Sequence, residues 1–390
     1  MMSVKIQVQN VTKIFGPSAR HVLEELEKEF DKKEVLSRTE HTVGVYDASF
    51  EVEEGETFVI IGLSGSGKST LIRCLNLLNR PTAGHIVVDG EDIVRYDRKQ
   101  LREFRRNKIA MVFQNFALLS HKNVLDNVAF GLTVRGVPRA EARERAAEVI
   151  GMVGLEGYEQ SQVSALSGGM KQRVGLARAL ACDPEILLMD EAFSALDPIV
   201  RRDMQFELIR LQKRLQKTIV FITHDIYEAF KLGDRVAIMK DARIVQVGTP
   251  EEILSNPCDE YVERFITDVD KTRVLPVKSV MQVPSCLIRS SAGPRAAINE
   301  MRANGVSSAY VVDRDLKMLG LVTLSDTLEA IEQKRTIPEI MRTDVASVDE
   351  DTILSDLVPM AAQSSYPIAV TDAEGHLTGI VTRVAILSNL

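Results

Sequence analysis

Gly62-Leu63-Ser64-Gly65-Ser66-Gly67-Lys68-Ser69 decides the fold of this chain. The octet fits G-x-x-x-x-G-K-[ST], a turn whose backbone N–H groups wrap phosphate oxygens. Thr57-Phe58-Val59-Ile60-Ile61 before it is a continuous apolar run, as expected of a strand buried on both faces of a parallel sheet. Thr70-Leu71-Ile72-Arg73 after it opens a helix, whose N-terminus adds a positive dipole end. In that context Lys68 is expected to reach the β- and γ-phosphates of a nucleotide, and Ser69 to ligate Mg²⁺.

Asp190 ends the apolar run Ile186-Leu187-Leu188-Met189. A carboxylate at the carboxyl edge of a sheet can hold Mg²⁺ through water. Glu191 follows it and suits a general base toward a water in line with the γ-phosphate. His224 stands after Ile219-Val220-Phe221-Ile222-Thr223, at another strand's carboxyl end, where ligands of such sheets gather. Leu166-Ser167-Gly168-Gly169-Met170 is a second phosphate-facing loop, with free N–H groups ahead of a helix. One nucleotide site does not need both loops, so two copies of the chain are expected to share each ATP.

Strands alternate with helical stretches, which means α/β with a largely parallel sheet. Residues 4–15 read as strand, 20–38 as an inserted surface helix (Leu23, Leu26 and Phe30 at helical spacing), and Val43 to Val52 as strand again. Residues 101–160 read as mostly helical, and Thr249-Pro250 starts a further helix. Past residue 278 the chain repeats itself. Val280-Met281 is echoed by Ile340-Met341, and Gly320-Leu321-Val322-Thr323 by Gly379-Ile380-Val381-Thr382, 59 residues on. Two similar β-α-β-β-α units packed on each other are expected.

At 390 residues the chain has room for two or more domains with real cores. A net charge of −7 argues against a general grip on nucleic acid. The four Cys (Cys74, Cys182, Cys258, Cys286) are scattered, which suits a reducing cytosol better than a disulfide framework or a zinc site. The N-terminus lacks the apolar segment of a signal peptide. No run approaches the roughly 18 apolar residues of a membrane span, so a membrane role needs a partner.

Leu166-Ser167-Gly168-Gly169-Met170-Lys171-Gln172-Arg173 resembles the signature sequence of ATP-binding cassette (ABC) proteins. The order of the motifs across residues 4–250 is similar to that family's nucleotide-binding domain. The resemblance implies a head-to-tail homodimer, with ATP between Lys68 of one copy and Ser167, Gly168 and Gly169 of the other. It implies a phosphate loop of Gly62, Ser64, Gly65, Ser66, Gly67, Lys68, Ser69 and Thr70, and Gln114 at the Mg²⁺ or the attacking water. Asp197, in Ser194-Ala195-Leu196-Asp197, would couple the two sites, and Phe15 would meet the adenine, with Tyr46 as its rival.

The tail resembles a pair of cystathionine-β-synthase (CBS) domains. The organisation expected is an α/β P-loop ABC ATPase domain over residues 1–270, with the inserted helix at about 17–44 and a helical subdomain at about 115–165. A linker at 271–278 and a tandem α+β CBS pair over 279–390, in halves of about 279–334 and 335–390, complete it. An importer ATPase with this insertion and tail resembles the ATP-binding subunit of quaternary-amine uptake systems, which carry glycine betaine, proline betaine, choline or carnitine. That implies an integral membrane permease, a periplasmic or extracytoplasmic substrate-binding protein, and a peripheral place on the cytoplasmic face of the inner (plasma) membrane. The alternatives are an importer of amino acids or polyamines, and a soluble ABC ATPase outside transport.

The tail units are not equivalent. Asp326 stands where nucleotide-binding CBS units hold a ribose, and Ala385 takes that place in the second unit. At most one pocket for an adenine nucleotide or cyclic dinucleotide is expected, near Thr323 and Asp326. Residues 279–390 hold nine Lys and Arg against fourteen Asp and Glu, so net charge gives no simple attraction to anionic lipid.

Overall fold

β1 (Val4–Phe15) pairs antiparallel with β2 (Thr42–Glu53), and the alternation of both sequences turns their apolar residues to one face. In the computed structural model, residues 3–17, 19, 22–23, 41–114, 116–194, 196–267 and 269–389 are described. The expected inserted helix lies outside them, apart from Ala19, Val22 and Leu23, which pack with Ile14, Val43 and Ala242, and the end of its expected span is corrected, since Thr42 to Gly44 already belong to β2. The chain divides into two compact units, Met1–Thr267 and Asp268–Leu390.

In the first unit β3 (Thr57–Ile61) is buried throughout. β4 (Ala83–Val88) and β5 (Glu91–Asp92) complete a four-stranded sheet in the order β2-β1-β4-β5. β6 (Ile109–Val112), β7 (Ile186–Asp190), β8 (Thr218–Thr223), β9 (Arg235–Lys240) and β10 (Arg243–Gly248) join β3 in a six-stranded sheet, ordered β10-β9-β3-β8-β7-β6. Five of its strands are parallel, and only β10 runs against its neighbour. The β9–β10 hairpin turns on Asp241 and Ala242, both at positive φ (46° and 69°), as a tight hairpin of this twist requires. The stacked rings of Phe50 and Phe58, 4.9 Å apart, join the two sheets through a common core.

β6 interrupts residues 101–160, which are otherwise mostly helical as their sequence reads. Ile-Ala-Met-Val is too short for periodicity to separate a strand from a helix. The helices of that stretch are Arg98–Asn107, Val124–Val128, Phe130–Arg135 and Arg139–Met152, and the last three pack on the helix Gly168–Ala181. An ionic ring ties β1 to the outer edge of the second sheet. Lys5 bonds Glu185 and, at 2.8 Å, Asp89, while Lys108 reaches the same two carboxylates at 2.8 and 3.0 Å. Burial pushes both carboxyls up, but the two lysines outweigh it and hold them below the usual range.

The second unit holds two three-stranded sheets. β11 (Leu287–Arg289), β12 (Ser308–Val312) and β13 (Met318–Thr323) form one. β14 (Ser347–Asp349), β15 (Ile368–Thr371) and β16 (Leu377–Val381) form the other. With the helices Pro294–Ala303, Leu324–Glu332, Leu354–Gln363 and Arg383–Leu387, each repeat runs β-α-β-β-α. The repeats trade backbone pairs: Gln282 of the first bridges Ile380 on β16, and Arg342 of the second bridges Leu321 on β13. That exchange explains the two echoed glycines. A Cβ on Gly320 would lie 2.5 Å from the Arg342 carbonyl oxygen, and one on Gly379 2.7 Å from the Met281 sulfur.

A flexible thioether can move aside and a paired carbonyl cannot. Gly320→Ala is therefore expected to destabilise the tail by about 1–3 kcal/mol, and Gly379→Ala by less. Hydrogen exchange in the full chain, read at β12 and β13 for the first variant and at β15 and β16 for the second, checks the order, which equal acceleration would contradict.

Candidate nucleotide site

The loops after β3, β6, β7 and β8 open at one edge of the parallel sheet, and they carry Lys68, Gln114, Asp190 with Glu191, and His224. In the first loop Gly67 holds φ 107° as the N-cap of the helix Lys68–Leu75, and its missing Cβ would lie 2.1 Å from the Gly44 carbonyl oxygen. Gly65 holds φ 79° with open space where a Cβ would stand. The backbone there is free to approach a phosphate. Ser64 is exposed and Ser66 buried, with the Ser66 hydroxyl lacking a hydrogen-bond partner.

Lys68 is 4% exposed, and its ammonium donates to the carbonyl oxygens of Gly62 and Leu63 at 2.7 and 3.1 Å. Burial pulls its pKa below the ordinary lysine value, against the field of Glu191 and Asp190. Ser69 Oγ donates to Asp190 Oδ1 at 2.9 Å, and Arg73 Nη2 holds Asp190 Oδ2 at 3.0 Å. A hydroxyl and a carboxylate side by side are hard oxygen donors, a set that fits Mg²⁺ beside phosphate oxygens.

Glu191 has φ 46° and donates its N–H to the Ile222 carbonyl. This conformation turns its carboxylate off the strand axis toward two partners. Gln114 Nε2 lies 3.4 Å from Oε2, and His224 Nδ1 lies 3.3 Å from the same oxygen. Ser194 joins them: Gln114 Nε2 donates to its hydroxyl at 3.1 Å, and that hydroxyl donates to the Glu191 carbonyl at 2.9 Å.

Other expected residues gather elsewhere. Ser167 caps the helix Gly168–Ala181 through the Met170 N–H at 3.3 Å, and Gly168 and Gly169 lie against Leu196 and Val200. Asp197 caps the helix Pro198–Leu215 through the Val200 N–H at 3.1 Å. The Phe15 ring and the Thr70 side chain meet over Gly44, and Phe15 is 40% exposed. Tyr46 instead packs on Ile14, Val22, Val43 and Ala242, with the Arg243 guanidinium 4.6 Å from its ring centroid. In the tail, Thr323 caps the helix Leu324–Glu332 through the Asp326 N–H at 3.1 Å. The Asp326 carboxylate is engaged by Arg342 at 3.0 and 3.2 Å, and that guanidinium stands 5.8 Å from the Tyr366 ring centroid.

Sequence reasoning gave Arg73 and Ser194 no role at the site, and it read Arg342 only as part of a cationic cluster with Lys334 and Arg335, not as the partner of Asp326. Arg73 was findable, because it stands four residues after Ser69 on the same helix face. Arg342 was not, because it is sixteen residues from Asp326 and only the exchange between repeats brings them together.

A P-loop, a carboxylate pair and a second glycine loop ahead of a helix define an ATP-binding cassette. Residues 45–194 match the ABC transporter family, and residues 277–333 and 337–390 each match the CBS domain. The chain is 49% identical over 387 residues to the glycine betaine transport ATP-binding protein OpuAA of Bacillus subtilis, covering 99% of this chain and 92% of that protein. It is 46% identical over 392 residues to the glycine betaine/proline betaine transport system ATP-binding protein ProV of Salmonella typhimurium, covering 100% and 98%. A dimeric ATP-binding cassette solved in a post-hydrolysis state with ADP and Pi is 31% identical, with a TM-score of 0.54, over 63% of this chain and 98% of that one. The chain belongs to the ABC transporter family, as an ATP-binding, ATP-hydrolysing subunit of the kind that dimerises and works with a membrane permease. Among the described residues, no helix is long and apolar enough to cross a membrane.

The fit of Gly67 against Gly44 gives a direct check. Gly67→Ala is expected to weaken ATP binding at least about a hundredfold, because both the φ and the close approach are denied to it. Titration with a fluorescent ATP analogue measures this, and unchanged affinity would contradict it.

Proposed function

We propose that this chain is the ATPase of an importer for quaternary-amine osmolytes: glycine betaine, proline betaine, choline or carnitine. The observation that carries the solute class is that relatives named for glycine betaine align across cassette and tail together, with 99% or more of this chain covered. In this reading the chain is peripheral, held on the cytoplasmic face of the inner (plasma) membrane by its permease. A periplasmic or extracytoplasmic binding protein delivers the solute from the other side. A groove of about 340 Å³, with exposed Leu78, Phe130 and Val134 on its walls and Arg105, Arg106 and Arg135 among its lining, is the permease's docking place.

ATP lies along the P-loop, its phosphates in the cradle of Gly62, Ser64, Gly65, Ser66, Gly67 and Thr70 and its adenine on Phe15. The Lys68 ammonium exchanges its two carbonyl acceptors for phosphate oxygens. Ser69, Asp190 and Gln114 hold Mg²⁺, which when bound neutralises charge on the phosphates. Glu191 accepts a proton from the attacking water, and His224 hydrogen-bonds the γ-phosphate. Ser167, Gly168 and Gly169 of a second copy close over the same phosphates, with Asp197 coupling the two sites. In the tail, one adenine nucleotide or cyclic dinucleotide binds beside Thr323 and Asp326 of the first repeat. It competes with Arg342 for the Asp326 carboxylate.

In vesicles holding the purified permease and this chain, and supplied with the substrate-binding protein, ATP is expected to drive uptake of labelled betaine, choline or carnitine. Glu191→Gln should abolish that uptake while keeping ATP bound in a trapped dimer. Uptake of amino acids or polyamines instead, or steady hydrolysis by the variant, would overturn the reading. For the tail, calorimetric titration of the full chain with AMP and cyclic dinucleotides should find at most one site beyond the cassette, weakened by Asp326→Ala. Two tail sites, or one indifferent to Asp326, would refute that part.

A further inference from the structure

We infer that Arg201 and Gln205 tie the loop carrying Asp197 to the loop carrying His224, and that Arg201 is thereby a positioning residue for His224. The inference rests on the reading of His224 as a γ-phosphate contact. Two helices begin beside these loops. Pro198–Leu215 starts directly after Asp197, and Ile226–Leu232 starts after Asp225, the neighbour of His224. Arg201 and Gln205 are four apart on the first helix, and so share one face of it. Asp225, Glu228 and Lys231 recur at spacings of three and meet them.

The bonds run in register. Arg201 Nη2 donates to the carbonyl oxygens of Ser194 and Leu196 at 3.2 and 3.3 Å. Its Nη1 stands 3.7 Å from Asp225 Oδ2. Four residues on, Gln205 Nε2 donates to Glu228 Oε1 at 3.0 Å, and Gln205 Oε1 accepts from Lys231 Nζ at 3.2 Å. Gln205 and Glu228 are 8% and 5% exposed, so water does not compete for the bond between them as it would on the surface. A planar guanidinium addresses acceptors on both loops at once, and a single ammonium cannot do so in the same geometry.

Arg201 Nε is buried with no acceptor. A donor left so is costly, as in a clamp whose loop has a second position. Ser194 carries the tie further, since its hydroxyl bonds Gln114 and the Glu191 carbonyl. Docking of a second copy on the Asp197 loop would therefore shift Arg201, then Asp225, then His224. The imidazole reaches its working place only when the dimer is closed.

The test is steady-state ATP hydrolysis by the transporter complex carrying Arg201→Met, Arg201→Lys, Asp225→Asn, His224→Ala or the double variant Arg201→Met/His224→Ala. Asparagine keeps the helix cap that Asp225 provides and removes only its charge. Arg201→Met and Asp225→Asn are each expected to lower kcat about tenfold with KM for ATP changed less than about twofold, and Arg201→Lys to recover only part. On the His224→Ala background, Arg201→Met should cost less than about twofold more, since the tie then has nothing to position. Multiplying losses in the double variant, or full kcat in Asp225→Asn, would overturn the inference. If Arg201→Met does not fold, Asp225→Asn with and without His224→Ala makes the same comparison. Full kcat in His224→Ala alone would overturn the reading of His224 and this inference with it.

Discussion

Parallel hydrogen bonding among β3, β8, β7 and β6 is the constraint on which the site depends. The register sets Ile61 beside Thr223, Asp190 beside Ile222 and Val112 beside Met189, so these strands end nearly level. Four loops then leave one edge, and groups far apart in the chain come within hydrogen-bond reach. A slip of one residue on β7 would turn Asp190 to the other face and away from Ser69. β3, β7 and β8 are buried throughout, so polar and apolar alternation cannot enforce this register. Buried polar pins at the amino ends do it instead. The Thr57 N–H bonds Asp234 at 2.8 Å, and the Thr218 hydroxyl accepts from the Gly55 N–H at 3.0 Å.

The charges at that edge are arranged as a set. Asp190 is held at both oxygens, by Ser69 and by Arg73, so its orientation does not wait for a cation. Glu191 is held at one oxygen by weaker and longer contacts, which suits a group whose partner changes during a reaction. Lys68 lies within the field of both carboxylates, but burial disfavours its charge. A triphosphate laid along the loop supplies the counter-charge that desolvation makes valuable. The same loss of water that destabilises the ammonium strengthens its grip on phosphate.

The strands and the phosphate loop were legible because their signals are local. The apolar runs at Thr57–Ile61 and Thr218–Thr223 became β3 and β8 residue for residue. The repeat in the tail was legible because its glycines keep register, and the structure supplies the reason in the backbone approach at Gly320. What stayed hidden is non-local. β6 is too short to declare its type. Phe15 ends β1 and Tyr46 lies within its partner β2, and only packing separates the exposed ring over Gly44 from the one beneath Arg243. Arg342 opposite Asp326, and Arg201 opposite Asp225, join elements whose approach no spacing in the sequence encodes.

The exchanged backbone pairs of the tail have a consequence for its ancestry. Gln282 completes the later half and Arg342 the earlier one, so the seam between duplicated sequences is not a seam of the folded object. Cutting the chain between the copies would leave two torn fragments, each missing an edge that the other carries. Once a duplicated gene has settled into such a handclasp, its halves are gained, traded or discarded only together.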